Sequence, residues 1–515
     1  MRNKEILKAS LILFISIFFS RVLGFAREII IAYKYGVSSE TDAFYFAFAI
    51  PELLNKLLIT GVLGAILIPI FTKLLNDNQE TEVNKLYFVL RNLIMVFTGG
   101  ISLIVFIFTK QIILQLAPNF NIETQELTIS MLRILIFSTV FFSVSGLSKS
   151  FMQSHKVFGP SAIAPVLQNV IFVALIPVLS LYFGVYTLAL SYLIAVIIQS
   201  FYQQFFVYKL TVSKTNQFSF KHKRIKFILI TSIPALFTLA LTDLNIILDR
   251  ILSANFEAGS VSAITYANKI IQLPIGIIGA SLIVALFPYI TNSAQKNDFI
   301  SVKKYLNQTI RIISIAVVPV NVVFYFFGKE IISLMFEYGA FSSTATSQTY
   351  ELLKIYSLTI VFSIFILLFV RFFHSFQDVK TPMKIAFIMI AVKGGTSWIF
   401  GILYLSKGLA YSTLLTTLIG CLLLYVKINQ KIDQKINSEL MGELIPFYFK
   451  IFIANLIPLI LCLQVMKFFD NFFFILILFF LIYLLICKMF KLSEINTMIK
   501  ILKSKFKKKK VIKEI

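Results

Sequence analysis

The sequence predicts an all-α polytopic membrane protein of about fourteen transmembrane helices, arranged as two pseudo-symmetric six-helix lobes around a central cavity plus two C-terminal helices. Three observations predict it. Of the 515 residues, 58% are hydrophobic and only 14% charged, where a soluble domain carries about half and about a quarter. Apolar segments of helical length recur along the whole chain. The chain also repeats itself at an offset of about 220 residues, as two copies of a six-span unit would.

The apolar segments fall near 6–33, 42–72, 86–109, 127–150, 160–182, 186–208, 227–250, 262–290, 307–328, 349–375, 383–404, 408–427, 445–466 and 470–488. Helices are the expected spanning form, because an isolated strand leaves its backbone unsatisfied in lipid. Basic residues set the orientation. Arg2, Lys4 and Lys8 precede the first span; Lys73 and Lys85, Lys149 and Lys156, and Lys214 to Lys226 fall on the same side. Lys296, Lys303 and Lys304, Lys380 and Lys384, and Lys431 and Lys435 follow suit, while the opposite loops carry mostly single basic residues such as Lys34, Lys110 and Lys329. Both termini are expected in the cytoplasm. The N-terminal run has no small-residue cleavage site and reads as a retained first span.

The repeat rests on two matches. Lys149-Ser150-Phe151-Met152-Gln153-Ser154-His155-Lys156, with Pro160 opening the next span, corresponds to Arg371-Phe372-Phe373-His374-Ser375-Phe376-Gln377-Asp378, with Pro382. Gly61-Val62-Leu63-Gly64-Ala65 before Pro69 corresponds to Ala280-Ser281-Leu282-Ile283-Val284 before Pro288. Six spans per copy keep both copies in one orientation, related by an axis along the membrane normal, with a site between them. The expected divisions are an N-lobe over 1–215 (spans one to six), a C-lobe over 216–440 (spans seven to twelve), a final span pair over 441–490 and a basic cytoplasmic tail over 491–515. Lys503 to Lys510 in that tail suit anionic membrane lipid, at about 1 kcal/mol per basic residue, better than nucleic acid.

Several chemistries find no support. Cys421, Cys462 and Cys487 sit apart in apolar stretches, and His155, His222 and His374 are isolated, so neither a disulfide framework nor a metal site is expected. No Gly-rich loop ends in Gly-Lys-Ser/Thr, so no nucleotide or other cofactor is expected. The net charge of +24 follows the loops and the tail, as membrane topology requires.

Charge inside the spans is where function should lie. Ser20-Arg21-Val22-Leu23-Gly24-Phe25-Ala26-Arg27-Glu28 puts two arginines into an apolar segment, where each costs about 3 kcal/mol if it faces lipid at the centre. They are expected to line a water-filled interior and meet an anion; the alternative is snorkelling, or internal pairing with Glu28. In a straight helix they sit roughly 120° apart, and a kink at Gly24 would bring them together. Arg91, Arg311 and Lys450 lie near cytoplasmic ends, where snorkelling is cheap, and Asp249 beside Arg250 reads as a local pair. Arg21, Arg27, Lys56 and Lys269 make a basic interior that suits a phosphate or diphosphate.

Ser20 to Glu28, followed by Gly36, Thr41-Asp42-Ala43-Phe44 and Ile50-Pro51-Glu52-Leu53-Leu54, resembles the opening of the MurJ/MviN lipid II flippases, and Tyr266-Ala267-Asn268-Lys269 with Leu273-Pro274 and Gly276 resembles their second signature. The resemblance implies the multidrug/oligosaccharidyl-lipid/polysaccharide exporter fold, with a groove on the last two helices for a polyprenyl tail. It implies that Arg21, Arg27 and Lys269 meet the diphosphate, with Lys269 standing where arginine is common; lysine keeps the charge but loses bidentate geometry. It places Asp42 and Ser262 at an outward gate. It places Asp243 and Lys393 at an ion or ion-pair site, where the lysine ammonium would stand in for a coupling cation, so sodium or membrane-potential coupling is left open. In span two the acid common in the family is absent here, where Asn55, Lys56 and Thr60 stand. The function so implied is a lipid II flippase of the bacterial cytoplasmic (inner) membrane, moving undecaprenyl-diphosphate-linked peptidoglycan precursor to the outer leaflet by alternating access, without enzymatic chemistry. The alternatives are another polysaccharide-lipid flippase or a cation-coupled exporter of the same fold. A membrane-embedded transferase would need clustered acids or His in a cytoplasmic loop.

Overall fold

The computed structural model describes residues 2–56, 66–211, 223–228, 245, 247–376, 378–433, 441–469, 471–492 and 494–495, all in helices and short connections with no strand. Gly61 to Ala65, Asp243 and the tail beyond 495 lie outside the described residues.

Helix α1 (Arg2–Tyr35) has 34 residues and at 1.5 Å per residue runs about 51 Å, well past the roughly 30 Å hydrocarbon core. It stops at Gly36, whose φ of 62° no β-carbon tolerates easily. Ser38 then caps α2 (Ser39–Asn55) through a reciprocal pair: Thr41 N–H donates to Ser38 Oγ at 3.3 Å and Ser38 N–H to Thr41 Oγ1 at 3.0 Å. Next come α3 (Ile68–Asn76), α4 (Glu80–Leu116), α5 (Ile122–Leu135) and α6 (Ser138–Ser154). Helices α7 (Gly159–Phe183) and α8 (Thr187–Leu210) pack side by side across a turn at Gly184, so the chain doubles back there.

The second half gives α9 (Ser260–Pro274), which widens into a π-turn over Ile275–Gly279, then α10 (Ala280–Gln295) and α11 (Phe299–Phe326). After them come α12 (Gly328–Phe336), α13 (Ser343–Ser357) and α14 (Thr359–Ser375), the last two meeting at a 42° bend. The long segment α15 (Lys380–Asp433) turns at Leu405. Ser397 and Ser412 hydrogen-bond across that turn at 2.8 Å, so this chain segment doubles back too. Helices α16 (Met441–Val465) and α17 (Phe472–Met489) close the described chain. Among the described residues eight helical segments, or nine with the bent pair, are long and apolar enough to cross a membrane; Gly159–Leu210 and Lys380–Ile432 each contain a turn and hold two of the spans expected from the sequence. The chain is a multi-pass membrane protein.

The repeat is written in the backbone. Positive φ recurs at Gly36 and Gly259, at Asn78 and Asn297, and at Gly184 and Leu405. In the first copy the amides of Asp77, Asn78 and Gln79 bond the carbonyls of Lys73, Leu75 and Leu74; in the second, Lys296, Asn297 and Asp298 bond Asn292, Ala294 and Ser293, every partner 219 positions on. The basic-aromatic turns agree as well, with Val157 N–H on Met152 O and Asp378 N–H on Phe373 O.

Two compact units result: Met1–Tyr266 with Phe336–Ala345, and Ala267–Met335 with Thr346–Ile515. In the first, Phe71 and Tyr87 pack edge-on and tilted against Phe151 in a core with Leu67, Leu86 and Leu147. Lipid is as apolar as leucine, so small residues and interhelical hydrogen bonds must hold spans together. Helix α6 supplies both: Ser148 bonds Tyr87 at 3.0 Å and Gln204 at 2.7 Å, and Ser145 bonds Gln199 at 3.1 Å and also Gln203. In the second unit, α16 and α17 pack on α11, with the Tyr483 hydroxyl donating to Ile315 O at 2.8 Å and Phe479 against Phe327.

Candidate functional site

The arginines of α1 have different surroundings. Gly24 does not interrupt the helix. Helix α7 lies against this stretch, where Asn169 Nδ2 donates to Ser20 O at 3.3 Å and sits over Gly24. Arg21 is exposed and has no ion pair among the described residues. Arg27 takes the pairing alternative: its Nη2 and Nε donate to Glu28 Oε1 at 2.6 and 3.2 Å, and its guanidinium lies 5.5 Å from the Phe172 ring. Glu28 is 1% exposed, and its Oε2 accepts from the Tyr45 hydroxyl at 2.6 Å. Tyr45 belongs to α2 and packs edge-on against Tyr266.

One turn before Tyr45, Asp42 is fully buried in the first turn of α2. Its Oδ2 accepts from Gly259 N–H at 2.6 Å, and its Oδ1 accepts from the N–H and hydroxyl of Ser262, both at 2.7 Å. The carboxylate thus stands at the N-termini of two helices, α2 and α9, where both dipoles favour an anion. The structure brings Asp42 and Ser262 together.

Around this latch Gly36 O accepts from Thr41 Oγ1 at 3.2 Å and from the Tyr266 hydroxyl at 3.3 Å. Tyr266, Phe336 and Phe341 form an aromatic cluster that reaches Phe25. The loop after α12 closes on α1, with Ala340 N–H on Tyr33 O at 2.8 Å. A β-carbon on Gly36 would strike Ala340 O, and one on Gly339 would strike Tyr33 O.

Lys56, at the end of α2, lies 3.3 Å from Glu52, and Glu52 also takes Arg250 at 2.6 Å. Arg250, 5% exposed, thus pairs with Glu52 of span two, where the sequence suggested its neighbour Asp249. Lys269 is part-buried on α9, in the second unit. Lys393 is fully buried, its ammonium donating to Leu409 O at 3.1 Å and Thr413 Oγ1 at 2.6 Å; Asp243, its expected partner, lies outside the described residues. No group of three or more metal-ligating side chains occurs among the described residues.

Outside the spans, Asp378 caps α15. Burial alone would raise its carboxyl, but the Thr381 N–H and hydroxyl and the Lys431 ammonium at 3.2 Å more than offset this, and it titrates below the usual carboxylate value. Sequence reasoning missed Tyr45 and the Glu52–Arg250 pair, and named Tyr266 only as part of the second signature. For the pair, a charge in an apolar run was the available signal; for Tyr45 there was none.

A family model described as "Lipid II flippase MurJ" matches residues 31–485, beginning just after Arg27. A probable lipid II flippase MurJ of Buchnera aphidicola subsp. Baizongia pistaciae is 29% identical over 470 residues, 89% of each chain. A lipid II flippase MurJ of Burkholderia cenocepacia is 26% identical over 415 residues, covering 79% of this chain and 80% of its own. Among solved structures, a lipid II flippase MurJ in an inward closed conformation superposes with a TM-score of 0.81 at 24% identity, over 94% of this chain and all of its own. An inward-facing multidrug resistance MATE family transporter superposes at 0.67 and 14% identity, over 81% and 96%. A family match over most of the length, with a membrane fold to suit it, means that this chain belongs to the MurJ family of lipid II flippases.

Proposed function

We propose that this protein flips lipid II, carrying a polyprenyl-diphosphate-linked disaccharide peptide from the cytoplasmic to the outer leaflet of a bacterial cytoplasmic membrane. Family membership over residues 31–485 carries the reading. The six-span lobes 1–215 and 216–440 alternate around a central cavity, spans thirteen and fourteen (441–490) take the lipid tail, and both termini face the cytoplasm. Arg21, Arg27, Lys269 and Lys56 receive the diphosphate; cationic donors in a poorly screened site suit a dianion. Asp42 and Ser262 form the outward gate, a role supported by three hydrogen bonds between α2 and the start of α9. Opening the gate costs those bonds, so the gate is bistable and needs substrate or potential to shift it. No bond is made or broken in the cargo. An inside-negative potential favours outward movement of an anionic headgroup by about 2.3 kcal/mol per charge per 100 mV. Buried Lys393 supports potential over sodium as the energy source, because its ammonium already holds a carbonyl and a hydroxyl of the kind a sodium ion would take.

Growth of a strain depleted of its own lipid II flippase tests the reading. The wild-type chain should restore growth, and Arg21→Ala should not, though the protein is folded and in the membrane. Full growth with Arg21→Ala at native levels overturns the site assignment. Growth restored by neither, with accumulation of a different lipid-linked sugar in the native host, favours another polysaccharide-lipid substrate.

A further inference from the structure

The connection between α12 and α13 leaves its own neighbours. Both helices lie mostly in the second unit, but Phe336–Ala345 folds into the first. It enters with two buried rings. Phe336 lies 5.6 Å from Phe25 of α1 and 5.4 Å from Tyr266 of α9, and Phe341 packs on both Phe336 and Tyr266. Between the rings the contact is backbone on backbone. Ala340 N–H donates to Tyr33 O at 2.8 Å. Gly36 and Gly339 both take φ of 62°, and a β-carbon on either would come within 2.3 Å of a carbonyl oxygen, Ala340 O for the first and Tyr33 O for the second. Glycine at both positions is what lets the loop lie this close.

The first copy of the repeat has a counterpart. In its loop between α4 and α5, Asn119 Nδ2 donates to Asn255 O at 3.3 Å, and Phe120 packs edge-on against Phe46. Asn119 and Ala340 stand at the repeat offset of about 220 residues. Asn255 and Tyr33 each come about one turn before a glycine of positive φ, Gly259 and Gly36. Each copy's loop thus lies on the end of the other copy's first span. The second loop also touches the latch. Gly36, which faces Ala340, offers its carbonyl to Thr41 and Tyr266; Thr41 adjoins Asp42, and Tyr266 follows Ser262 by one helical turn. The loop is tied at both ends to helices of the second copy, so a displacement of those helices from α1 is carried by it. We infer that loop 336–341 is a brace that holds the outward gate shut, and that its undocking from α1 is a step of outward opening. Gly36 and Gly339 are positioning residues for that step and touch no cargo. This rests on the reading of Asp42 and Ser262 as the outward gate.

The test uses the full-length protein in proteoliposomes, with lipid II as cargo. Tyr33 and Ala340 are exposed, and the three native cysteines are buried. Tyr33→Cys with Ala340→Cys, bridged by a short bis-thiosulfonate reagent, pins the loop to α1 without adding charge. Transport should fall about tenfold or more, because a carrier held in one conformation cannot cycle. It should return on reduction, and each single variant treated alike should keep the parent rate. Transport that is no slower when bridging is complete overturns the inference. Gly339→Ala works the other way. Its β-carbon meets Tyr33 O at a φ that alanine adopts only with strain, so it expels the loop. With Ala43→Cys beside Asp42 as a thiol reporter of the open gate, labelling should quicken about tenfold, the equivalent of about 1.4 kcal/mol. Parent-rate labelling in Gly339→Ala, where Ser262→Ala still quickens it, overturns the inference and leaves the gate reading intact. Parent-rate labelling in both variants overturns the gate reading and the brace with it. Should Gly339→Ala fail to fold, the cross-link decides alone.

Discussion

Ser262→Ala probes the gate with one atom. The Ser262 hydroxyl is one of three donors to the buried Asp42 carboxylate, at 2.7 Å. A hydrogen bond to a charged group is worth about 1.5–3 kcal/mol, and the remaining N–H bonds from Gly259 and Ser262 keep the carboxylate from being stranded. Taking about 2 kcal/mol, the ratio of closed to open latch should fall roughly 30-fold, since each 1.4 kcal/mol is tenfold. Asp42→Asn should do more, because its new amide would point donors at backbone N–H groups and the helix N-termini would lose their anion. Ala43, 0% exposed and next to Asp42, gives the reporter. Ala43→Cys should react with a membrane-impermeant thiol reagent slowly in the parent and faster in the Ser262→Ala background by that ratio; the three native cysteines are buried and set the background. Equal labelling in both backgrounds, with Ser262→Ala still impaired in transport, would refute a gating role and leave Ser262 as a helix cap alone.

The other predictions are briefer. Lys269→Arg should support growth of a flippase-depleted strain and Lys269→Ala should impair it; equal growth of both removes Lys269 from the headgroup site. Transport should proceed without sodium, and Lys393→Ala should cost about 1.5–3 kcal/mol in unfolding measurements by removing the ammonium's hydrogen bonds to Leu409 O and Thr413 Oγ1. Strict sodium dependence would defeat the idea that the ammonium replaces an ion. Asp378→Asn, which keeps the cap, should cost up to about 1 kcal/mol at pH 7 through the lost ion pair with Lys431. Because the folded carboxyl titrates below its unfolded value, its contribution is present above about pH 4 and fades as pH falls through the lowered value, so wild type and variant should converge in acid. A difference that persists below that range would assign the effect to packing.

Much of this molecule was legible because apolar periodicity and intramembrane charge are local signals. Arg21, Arg27, Asp42 and Lys393 announced themselves as charges in apolar runs. The partners of those charges are tertiary facts. Nothing in the spacing says that Tyr45 will cap Glu28, or that Arg250 will find Glu52 nearly 200 positions away. Gly24 permits a bend without requiring one, and Asn169 packs over it in a helix that is not interrupted there. Span four breaks at Ile136 and span ten at Leu358 with no glycine or proline there, so their breaks had no signal.

Leu405 is the residue whose history shows. Its φ of 53° and ψ of −134° nearly equal the 51° and −132° of Gly184 in the other copy, a region that glycine enters freely and leucine enters at about 1–3 kcal/mol. After a duplication, side chains drift while the torsions that close a turn cannot, since both helices of the hairpin are already committed to their packing. The second copy holds the same torsions without the residue that makes them easy. Leu405→Gly should then raise thermal stability instead of lowering it.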